Sequence, residues 1–179
     1  MFSVYGHGNK SAYTMAEHLQ LPTSTSREEI YQAILPQIDS LIRDESDLIA
    51  NLANVAAVLS TACRFHWVGF YRMIDGELVL GPFQGPLACT RIALHQGVCG
   101  AAARAKQTVV VPDVDAFPGH IACSSKSRSE IVVPLVTRSG EVQLVLDVDS
   151  DKRADFSDVD VRYLEELISL LAERHFAPD

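Results

Sequence analysis

The sequence predicts an α+β fold in which helices cover an antiparallel sheet. Two pairs of strand-forming segments are each joined by a short turn, at Asp75-Gly76 and at Arg138-Ser139-Gly140, and segments with helical spacing of apolar residues lie towards both ends of the chain. Strands joined by tight turns pair antiparallel, and an amphipathic helix buries its apolar side against another element. We therefore expect the N- and C-terminal helices on one face of the sheet, and loops plus a short helix on the other.

Two helices are predicted before the first strand. Ser26 is a good N-cap residue, and apolar residues recur at helical spacing from there to Ile42. Pro36 should kink this helix, because proline lacks the N–H that a helix needs. A second helix begins at about Asp47 and reaches Cys63, which we assign to the core as a small hydrophobe. Residues 1–24 are predicted to be an irregular leader, and residues 25–179 a single domain.

The central part of the chain is predicted to hold the strands and one short helix. An alanine-rich helix is expected over residues 97–106, and Ser157 should cap a last helix. Residues 113–128 form a loop of a length that is usually functional or disordered in a compact domain. The strand-forming runs cover residues 66–72, 77–80, 91–94, 108–111, 130–136 and 141–148.

Composition limits the classes of function. The chain of 179 residues has a net charge of -8, which argues against binding to a phosphate backbone, since nucleic-acid binders need clustered Lys and Arg. No apolar run is long enough to span a membrane, and the first residues do not form a signal peptide. We expect a cytoplasmic protein, in which four cysteines are kept reduced rather than forming a permanent disulfide framework.

Three of the four cysteines are candidates for the chemistry. Cys89, Cys99 and Cys123 lie among small, polar or loop-forming residues, where a thiol is better placed to react than to pack. The alternative is that they are buried, inert thiols. Zinc sites usually show ligands paired at close spacing, as in Cys-x2-Cys, and these cysteines with His95 and His120 do not have that pattern. We therefore expect no metal.

Acidic and aromatic residues on the predicted strands are candidates for a binding site. Asp147 and Asp149 alternate along one strand, which places both side chains on the same face, and Glu130 begins the preceding strand. Acids at the end of a buried strand favour a pocket over a solvated face. For Trp67 and Tyr71, the core and the wall of a pocket are equally good interpretations.

Several motifs resemble one known family. The hairpin-loop-hairpin part resembles the GAF fold, and within that fold the motifs look like the free methionine-(R)-sulfoxide reductases, from about Ser40 to the C-terminus. The match leaves residues 1–20 unexplained, and residues 92–96 beside Cys99 depart from the family pattern. The matching segments are Trp67–Tyr71, Leu80–Gly85, Ala88-Cys89, Gly97–Gly100, His120–Cys123, Ser129–Pro134 and Val145–Ser150.

The resemblance implies reduction of free L-methionine-(R)-sulfoxide by thiol chemistry. It places the attacking nucleophile at Cys123, which would become a sulfenic acid. Cys89 would then resolve this acid as a disulfide, with Cys99 as an auxiliary or alternative resolver. Thioredoxin, which draws its electrons ultimately from NADPH, would reduce the disulfide, and no cofactor would be bound.

The resemblance also assigns roles to the acids and aromatics, and it favours a homodimer. Glu130 and Asp149 would lie nearest the reacting groups, with Asp147 supporting them, and together the acids would hold the substrate ammonium. Crowding of like charges would raise the pKa of at least one carboxyl and provide a proton donor. Trp67 and Tyr71 would wall the methyl and thioether end of the substrate.

Two other functions remain open at this point. The chain could be a non-catalytic GAF sensor for a small ligand, with incidental cysteines, or a thiol-based redox sensor. A sensor would have no reason to combine these acids with a set of thiols that can form a disulfide, so the enzyme is the favoured interpretation.

Overall fold

The computed structural model describes residues 18–23, 26–119 and 126–177. Within this part, the helices are α1 (Arg27–Arg43), α2 (Leu48–Cys63), α3 (Gly97–Ala105) and α4 (Asp158–Phe176). A 3₁₀ turn covers Val114–Ala116. The strands are β1 (Trp67–Ile74), β2 (Glu77–Gln84), β3 (Arg91–Ala93), β4 (Val109–Val111), β5 (Ser129–Val136) and β6 (Val142–Ser150).

The strands of the described chain form one sheet in the order β3-β2-β1-β6-β5-β4, and each neighbouring pair is antiparallel. β1 and β2 form one hairpin, and β5 and β6 form the other. In the first turn, Asp75 and Gly76 both have positive φ, 51° and 81°, which is the geometry that a two-residue hairpin turn needs. The predicted α+β class is confirmed.

One face of the sheet is covered by α1, α2 and α4, as predicted. Alternation along the strands directs every second side chain towards these helices, and each fully buried Leu or Ile stabilises the fold by about 1.5–3 kcal/mol. The strand residues of this core are Val68, Phe70, Ile131, Val133, Leu135, Leu144, Leu146 and Val148.

A partly buried ion pair joins the first helix to the last. Arg27 at the start of α1 contacts Asp160 of α4 at 2.8 Å, and the Tyr31 hydroxyl donates a hydrogen bond to the same carboxylate at 2.9 Å. Asp160 also completes a capping box with Ser157, so one acid both caps α4 and holds α1 against it. α1 continues as a single helix through Pro36, and the kink expected there stays a prediction.

The opposite face is covered by α3, the 3₁₀ turn and the loops, again as predicted. Its core contains the strand residues whose side chains point away from α1, α2 and α4, together with residues of α3. The buried members of this second core are Trp67, Tyr71, Leu78, Ile92, Val98, Cys99, Ala102, Ala103, Val111, Val114, Val132 and Val145.

β2 is longer than the sequence predicted. The pattern indicated an end at Leu80, because Gly81 and Pro82 interrupt strands. In the structure, the β1–β2 pairing continues to Gln84, and its register shifts where Phe70 lies opposite the Gly81–Pro82 pair. Such a bulge leaves a residue without a ladder hydrogen bond, which is a position that tolerates proline in a strand.

The predicted leader lies largely outside the described residues, which begin at His18. Gln20 is attached to α1 by a reciprocal pair of 2.8 Å hydrogen bonds with Gln37. The division at residue 24 stays a prediction, since residues 24 and 25 are also outside the described part. None of the described helices is both long enough and apolar enough to cross a membrane.

Candidate active site

The three predicted acids come together on the face of the sheet that carries α3. The strand register aligns Trp67 of β1, Asp149 of β6 and Glu130 of β5 in one row across the sheet. The next row contains Gly69 and Asp147 at directly opposed positions. Residues two apart on a strand point the same way, so the acids and Trp67 share one face.

The carboxyl groups of Glu130 and Asp147 are removed from solvent. The residues are 6% and 8% exposed, and their side chains are hydrogen-bonded to each other. Two carboxyls share a hydrogen bond only if one of them carries a proton. Asp147 Oδ1 is buried and has no hydrogen-bond partner among the described residues. The pair therefore holds a proton and leaves one acceptor for another donor.

Burial and mutual repulsion raise the pKa of each acid. For Glu130, burial is the largest cause, followed by the charges of Asp147 and Asp149. For Asp147, burial and the charge of Asp149 raise the pKa, while hydrogen bonds from Cys99 and Glu130 act in the opposite direction. The cluster titrates as a unit because the groups interact strongly, and it retains protons well above the usual range of carboxylic acids.

Asp149 is the most accessible acid of the cluster. Burial raises the pKa of Asp149 from 3.8 to about 6, and a hydrogen bond from Ser127 partly offsets that rise. A carboxyl with a pKa near 6 can both give and take a proton close to neutral pH. Asp149 is therefore suited to exchange protons with a bound ligand.

We predict that Asp149 makes the protein less stable as the pH rises from about 4 to above 6. In this interval the folded protein keeps a proton on Asp149 that the unfolded chain has released, so raising the pH favours unfolding. A pKa that moves from 3.8 to about 6 corresponds to a cost of about 3 kcal/mol above that interval. The free energy of unfolding, measured by urea titration, should fall less between pH 4.5 and pH 7.5 in Asp149→Asn than in the wild-type protein.

Asp151→Asn is the control, since it also removes one acid but lies exposed just beyond β6. It should preserve the wild-type difference between the two pH values. A pH dependence equal to wild type in Asp149→Asn would contradict the assignment.

Cys99 belongs to the acid cluster. It lies near the start of α3, is 3% exposed, and its thiol is hydrogen-bonded to Asp147. Burial and the charges of Asp147 and Glu130 raise the pKa of this thiol well above its usual value. Cys99 is thus a protonated hydrogen-bond donor to Asp147 rather than a thiolate.

The other cysteines have different environments. Cys89 follows β2, is half-buried and is disulfide-bonded, and its bonding partner is neither Cys63 nor Cys99, since both are free. Cys63 packs against the helix-side core, as predicted, and burial raises its pKa to about 12. The predicted nucleophile Cys123 lies outside the described residues, as does His120.

Trp67 and Tyr71 are buried on the same face as the acids. Their rings stack at a centroid distance of 6.0 Å, and the ring of Phe83 also stacks on Trp67, at a centroid distance of 5.4 Å. Trp67 Nε1 donates a hydrogen bond to the carbonyl of Pro86, and the Tyr71 hydroxyl donates one to the carbonyl of Cys89. The aromatics therefore hold the segment that carries Cys89 next to the sheet.

Gly69→Ala should destabilise the protein, because the Trp67 ring occupies the space above Gly69. An added Cβ would lie 2.4 Å from Phe83 Cβ and 2.7 Å from Trp67 Cη2. Relieving such overpacking costs about 1–3 kcal/mol. Urea unfolding should show this loss, and native fluorescence should shift, since Trp67 is the single tryptophan of the chain.

Gly76→Ala is a matched control, because a Cβ at Gly76 would meet nothing within 4 Å but would strain a φ of +81°. It should reduce stability without changing the emission of Trp67. An unchanged stability and emission in Gly69→Ala would contradict the close approach of the ring.

Cys99, Glu130 and Asp147 could in principle hold a metal ion. One ligand atom from each lies within 4.8 Å of the others. A metal would have to displace the protons of the thiol and of the carboxyl pair, and the raised pKa values of these groups oppose that exchange. The arrangement fits proton storage better than metal binding, and the absence of a metal stays a prediction.

Three supporting residues were not singled out from the sequence. Ser127 donates a hydrogen bond to Asp149, Phe83 stacks on Trp67, and Gly69 makes room for the indole ring. Phe83 and Gly69 fall within the motifs quoted above, but no spacing rule connects β2 to Trp67. Ser127 lies in a loop, so its direction could not be read from a strand pattern.

Comparison with known protein families gives the class of the molecule. The sequence model of the GAF-domain family matches residues 42–173 of this chain. A solved GAF domain is 33% identical to this chain with a TM-score of 0.84, and the match covers 94% of this chain and 100% of that one. Fold and sequence thus agree on a GAF-domain protein.

Individual relatives narrow the class. A free methionine-R-sulfoxide reductase of Saccharomyces cerevisiae is 37% identical over 172 residues, 92% of this chain and 96% of its own length. The protein of the same name from Escherichia coli is 41% identical over 147 residues, 82% and 88% of the two chains. A free methionine-R-sulfoxide reductase of Neisseria meningitidis, solved in complex with its substrate, is 54% identical with a TM-score of 0.84 over 87% of this chain and 93% of that one.

The chain therefore belongs to the GAF-domain family, in the group that contains the free methionine-R-sulfoxide reductases. The expected GAF fold and the resemblance stated from the motifs are confirmed. The roles of the individual site residues stay predictions.

Proposed function

We propose that the protein reduces free L-methionine-(R)-sulfoxide to methionine. The observation that carries this proposal is the cluster of Glu130, Asp147 and Asp149, whose pKa values are all raised and which lies on the same face of the sheet as the segment of Cys89. The names of the relatives support the same activity, and one relative, which is 54% identical, was solved in complex with its substrate.

The cluster offers a means of recognising a free amino acid. An ammonium group needs acceptors, and Asp147 Oδ1 is a buried acceptor without a described partner. Leaving such an oxygen unpaired costs about 1–3 kcal/mol, which an arriving ammonium would recover. In this proposal Trp67 and Tyr71 wall the apolar end of the substrate, as aromatic side chains commonly do in small-ligand sites.

The same cluster supplies a proton. Reduction of a sulfoxide removes its oxygen, and a bare oxide is a poor leaving group unless it is protonated or hydrogen-bonded. Glu130 and Asp149 both have raised pKa values, so a protonated carboxyl is available near neutral pH. We assign them as the groups nearest the sulfoxide oxygen, with Asp147 as their support.

Thiol chemistry completes the reaction. The Cys123 thiolate attacks the sulfoxide sulfur, the protonated oxygen is transferred, and methionine leaves as Cys123 becomes a sulfenic acid. A second thiol then displaces water from the sulfenic acid and forms a disulfide. Two thiols of an external reductant return this disulfide to the dithiol, which balances the two electrons given to the substrate.

Cys89 is the better candidate for the resolving thiol. It is disulfide-bonded in the structure, and it is half-buried rather than fully enclosed. Cys99 is poorly suited to attack, because its raised pKa keeps it protonated and bound to Asp147. We propose that Cys99 is an auxiliary donor that orients Asp147.

The proposal also covers the reductant, the location and the oligomeric state of the protein. Thioredoxin, which draws its electrons ultimately from NADPH, is the proposed reductant. We also propose that the protein is a homodimer in the cytoplasm. These stay predictions from the sequence and its resemblance.

The test uses the purified protein with racemic free methionine sulfoxide and dithiothreitol. Each epimer is followed by chromatography after chiral derivatisation, and we expect loss of the R epimer with formation of methionine. N-acetyl-methionine sulfoxide amide is the matched comparison, since it lacks the ammonium group that the acids are proposed to hold, and it should react far more slowly.

The two rival functions predict other results. A non-catalytic sensor would bind free methionine sulfoxide or another small ligand without consuming either epimer. A thiol redox sensor would form its disulfide with peroxide and show no epimer preference. Equal loss of both epimers, or equal rates on the free and blocked substrates, would contradict the proposed function.

A further inference from the structure

One short segment, residues 83–86, makes three separate contacts with the indole of Trp67. The ring of Phe83 stacks on it at a centroid distance of 5.4 Å and an interplanar angle of 16°. The backbone of Gly85 approaches it closely, since a Cβ there would lie 2.6 Å from Trp67 Cδ1. The carbonyl of Pro86 accepts a hydrogen bond from Trp67 Nε1 at 3.1 Å. We call residues 83–86 the indole cradle.

The cradle depends on the residue types found in it. Gly85 has a φ of +136°, a conformation that favours glycine. Phe83 lies directly opposite Gly69 in the β1–β2 pairing, so it is the diagonal neighbour of Trp67 across the two strands. Phe83 and Gly85 belong to the motif of residues 80–85, to which the proposed reaction assigns no role.

The indole that the cradle holds lies beside the acid cluster. Trp67 is the direct partner of Asp149 in the β1–β6 pairing, and Asp149 is the partner of Glu130 in the β5–β6 pairing. Directly paired residues place their side chains side by side on one face. Trp67 is 3% exposed, so protein atoms enclose its ring. A tilt of the indole would therefore change the space next to the acids.

We propose that Phe83 is a positioning residue that fixes the plane of the Trp67 indole and thereby limits the S-alkyl group of the substrate to methyl. The inference rests on the proposed function, because it names which free amino-acid sulfoxides the site accepts. A rigid apolar wall discriminates against one added methylene by about 10–200-fold, whereas a wall that can tilt accommodates it. Phe83 acts through Trp67 and does not need to touch the substrate.

The test compares turnover of free methionine sulfoxide and free ethionine sulfoxide with dithiothreitol as reductant. The two substrates share the amino-acid end and differ by one methylene on the sulfur. Wild type should prefer the methyl substrate by at least about tenfold in kcat/KM, and Phe83→Leu should reduce this preference to less than about threefold. The change should appear as a lower KM for the ethyl substrate, while kcat for the methyl substrate is retained. Phe83→Tyr keeps a ring and should keep the preference.

Met73→Ala is the matched control. Met73 lies on the same strand as Trp67 and packs against the same core, and at strand spacing it is about 20 Å along β1 from Trp67. Its truncation should lower the stability and leave the preference at the wild-type value. Phe83→Met keeps a long apolar side chain without a ring, and it repeats the test if Phe83→Leu does not fold.

A fluorescence measurement separates this inference from the proposed function. Trp67 is the single tryptophan of the chain, so quenching by acrylamide reports access to the indole without any sulfoxide. Quenching in Phe83→Leu should exceed that in wild type and in Met73→Ala. Unchanged quenching, or a wild-type substrate preference in Phe83→Leu, would overturn the inference. A loss of preference in Met73→Ala would also overturn it.

The proposed function can fail independently of the cradle. If the wild-type protein turns over neither sulfoxide, the proposed function alone is contradicted. The preference for methyl over ethyl is then measured as binding, from the change in Trp67 emission on titration with each sulfoxide. Equal preferences in wild type and Phe83→Leu in that titration would again overturn the role of Phe83.

Discussion

Cys123→Ser should abolish reduction of free methionine sulfoxide. A serine hydroxyl stays protonated at neutral pH and is a much weaker nucleophile than a thiolate, so kcat should fall by at least about 10³-fold, as is typical when a covalent nucleophile is removed. The measurement is loss of the R epimer with dithiothreitol, with binding of the substrate followed separately. We expect binding to persist, because the acids and aromatics assigned to recognition are unchanged.

Cys63→Ser is the matched control for this substitution. Cys63 also offers a free thiol, but it packs against the helix-side core and lies on the opposite face from the acid cluster. The variant should retain turnover at a temperature at which it is folded. Wild-type activity in Cys123→Ser would move the nucleophile to another cysteine.

Glu130→Gln should cause the second large loss. Glutamine has nearly the same shape and can still hydrogen-bond to Asp147, but it cannot release a proton as an acid. Removing a general acid typically lowers the rate by about 10²–10⁴-fold, and most of this loss should appear in kcat. Because the raised pKa of the cluster provides the proton, wild-type kcat should decline at high pH, and that limb should flatten or shift in the variant.

Glu141→Gln controls for the loss of one negative charge. Glu141 is exposed in the turn of the β5–β6 hairpin, at the opposite end of these strands from Glu130. Its replacement should leave kcat and the pH profile unchanged. A Glu130→Gln enzyme with wild-type kcat across the pH range would remove Glu130 from proton transfer.

Local patterns were enough to predict most elements of the fold. The Asp75-Gly76 turn, the cap at Ser157 and the helix after Asp47 all depend on residues close in sequence, and each is confirmed. β2 was predicted too short, because its continuation past Pro82 depends on a bulge against β1 that only pairing reveals. Propensity describes one segment at a time, whereas a bulge is a property of two strands.

The candidate site was predictable in part. Alternation placed Asp147 and Asp149 on one face, and the motifs drew attention to Glu130 and Trp67. The register that aligns Trp67, Asp149 and Glu130 in one row could not be derived, because a shift of one residue in either pairing would send a side chain to the other face. Ser127 was missed for a related reason, since a loop has no period to indicate where its side chains point.

The sequence by itself determined the α+β class and the family, and it singled out the residues that we propose do the chemistry, since these depend on residue type and spacing. Only the tertiary structure decided how the thiols differ. Cys99 is hydrogen-bonded to Asp147 inside the acid cluster, Cys63 lies across the sheet, and Cys89 is half-buried and disulfide-bonded. The reason is physical: the reactivity of a thiol depends on its pKa and accessibility, and burial and neighbouring charges set both through contacts between residues distant in sequence.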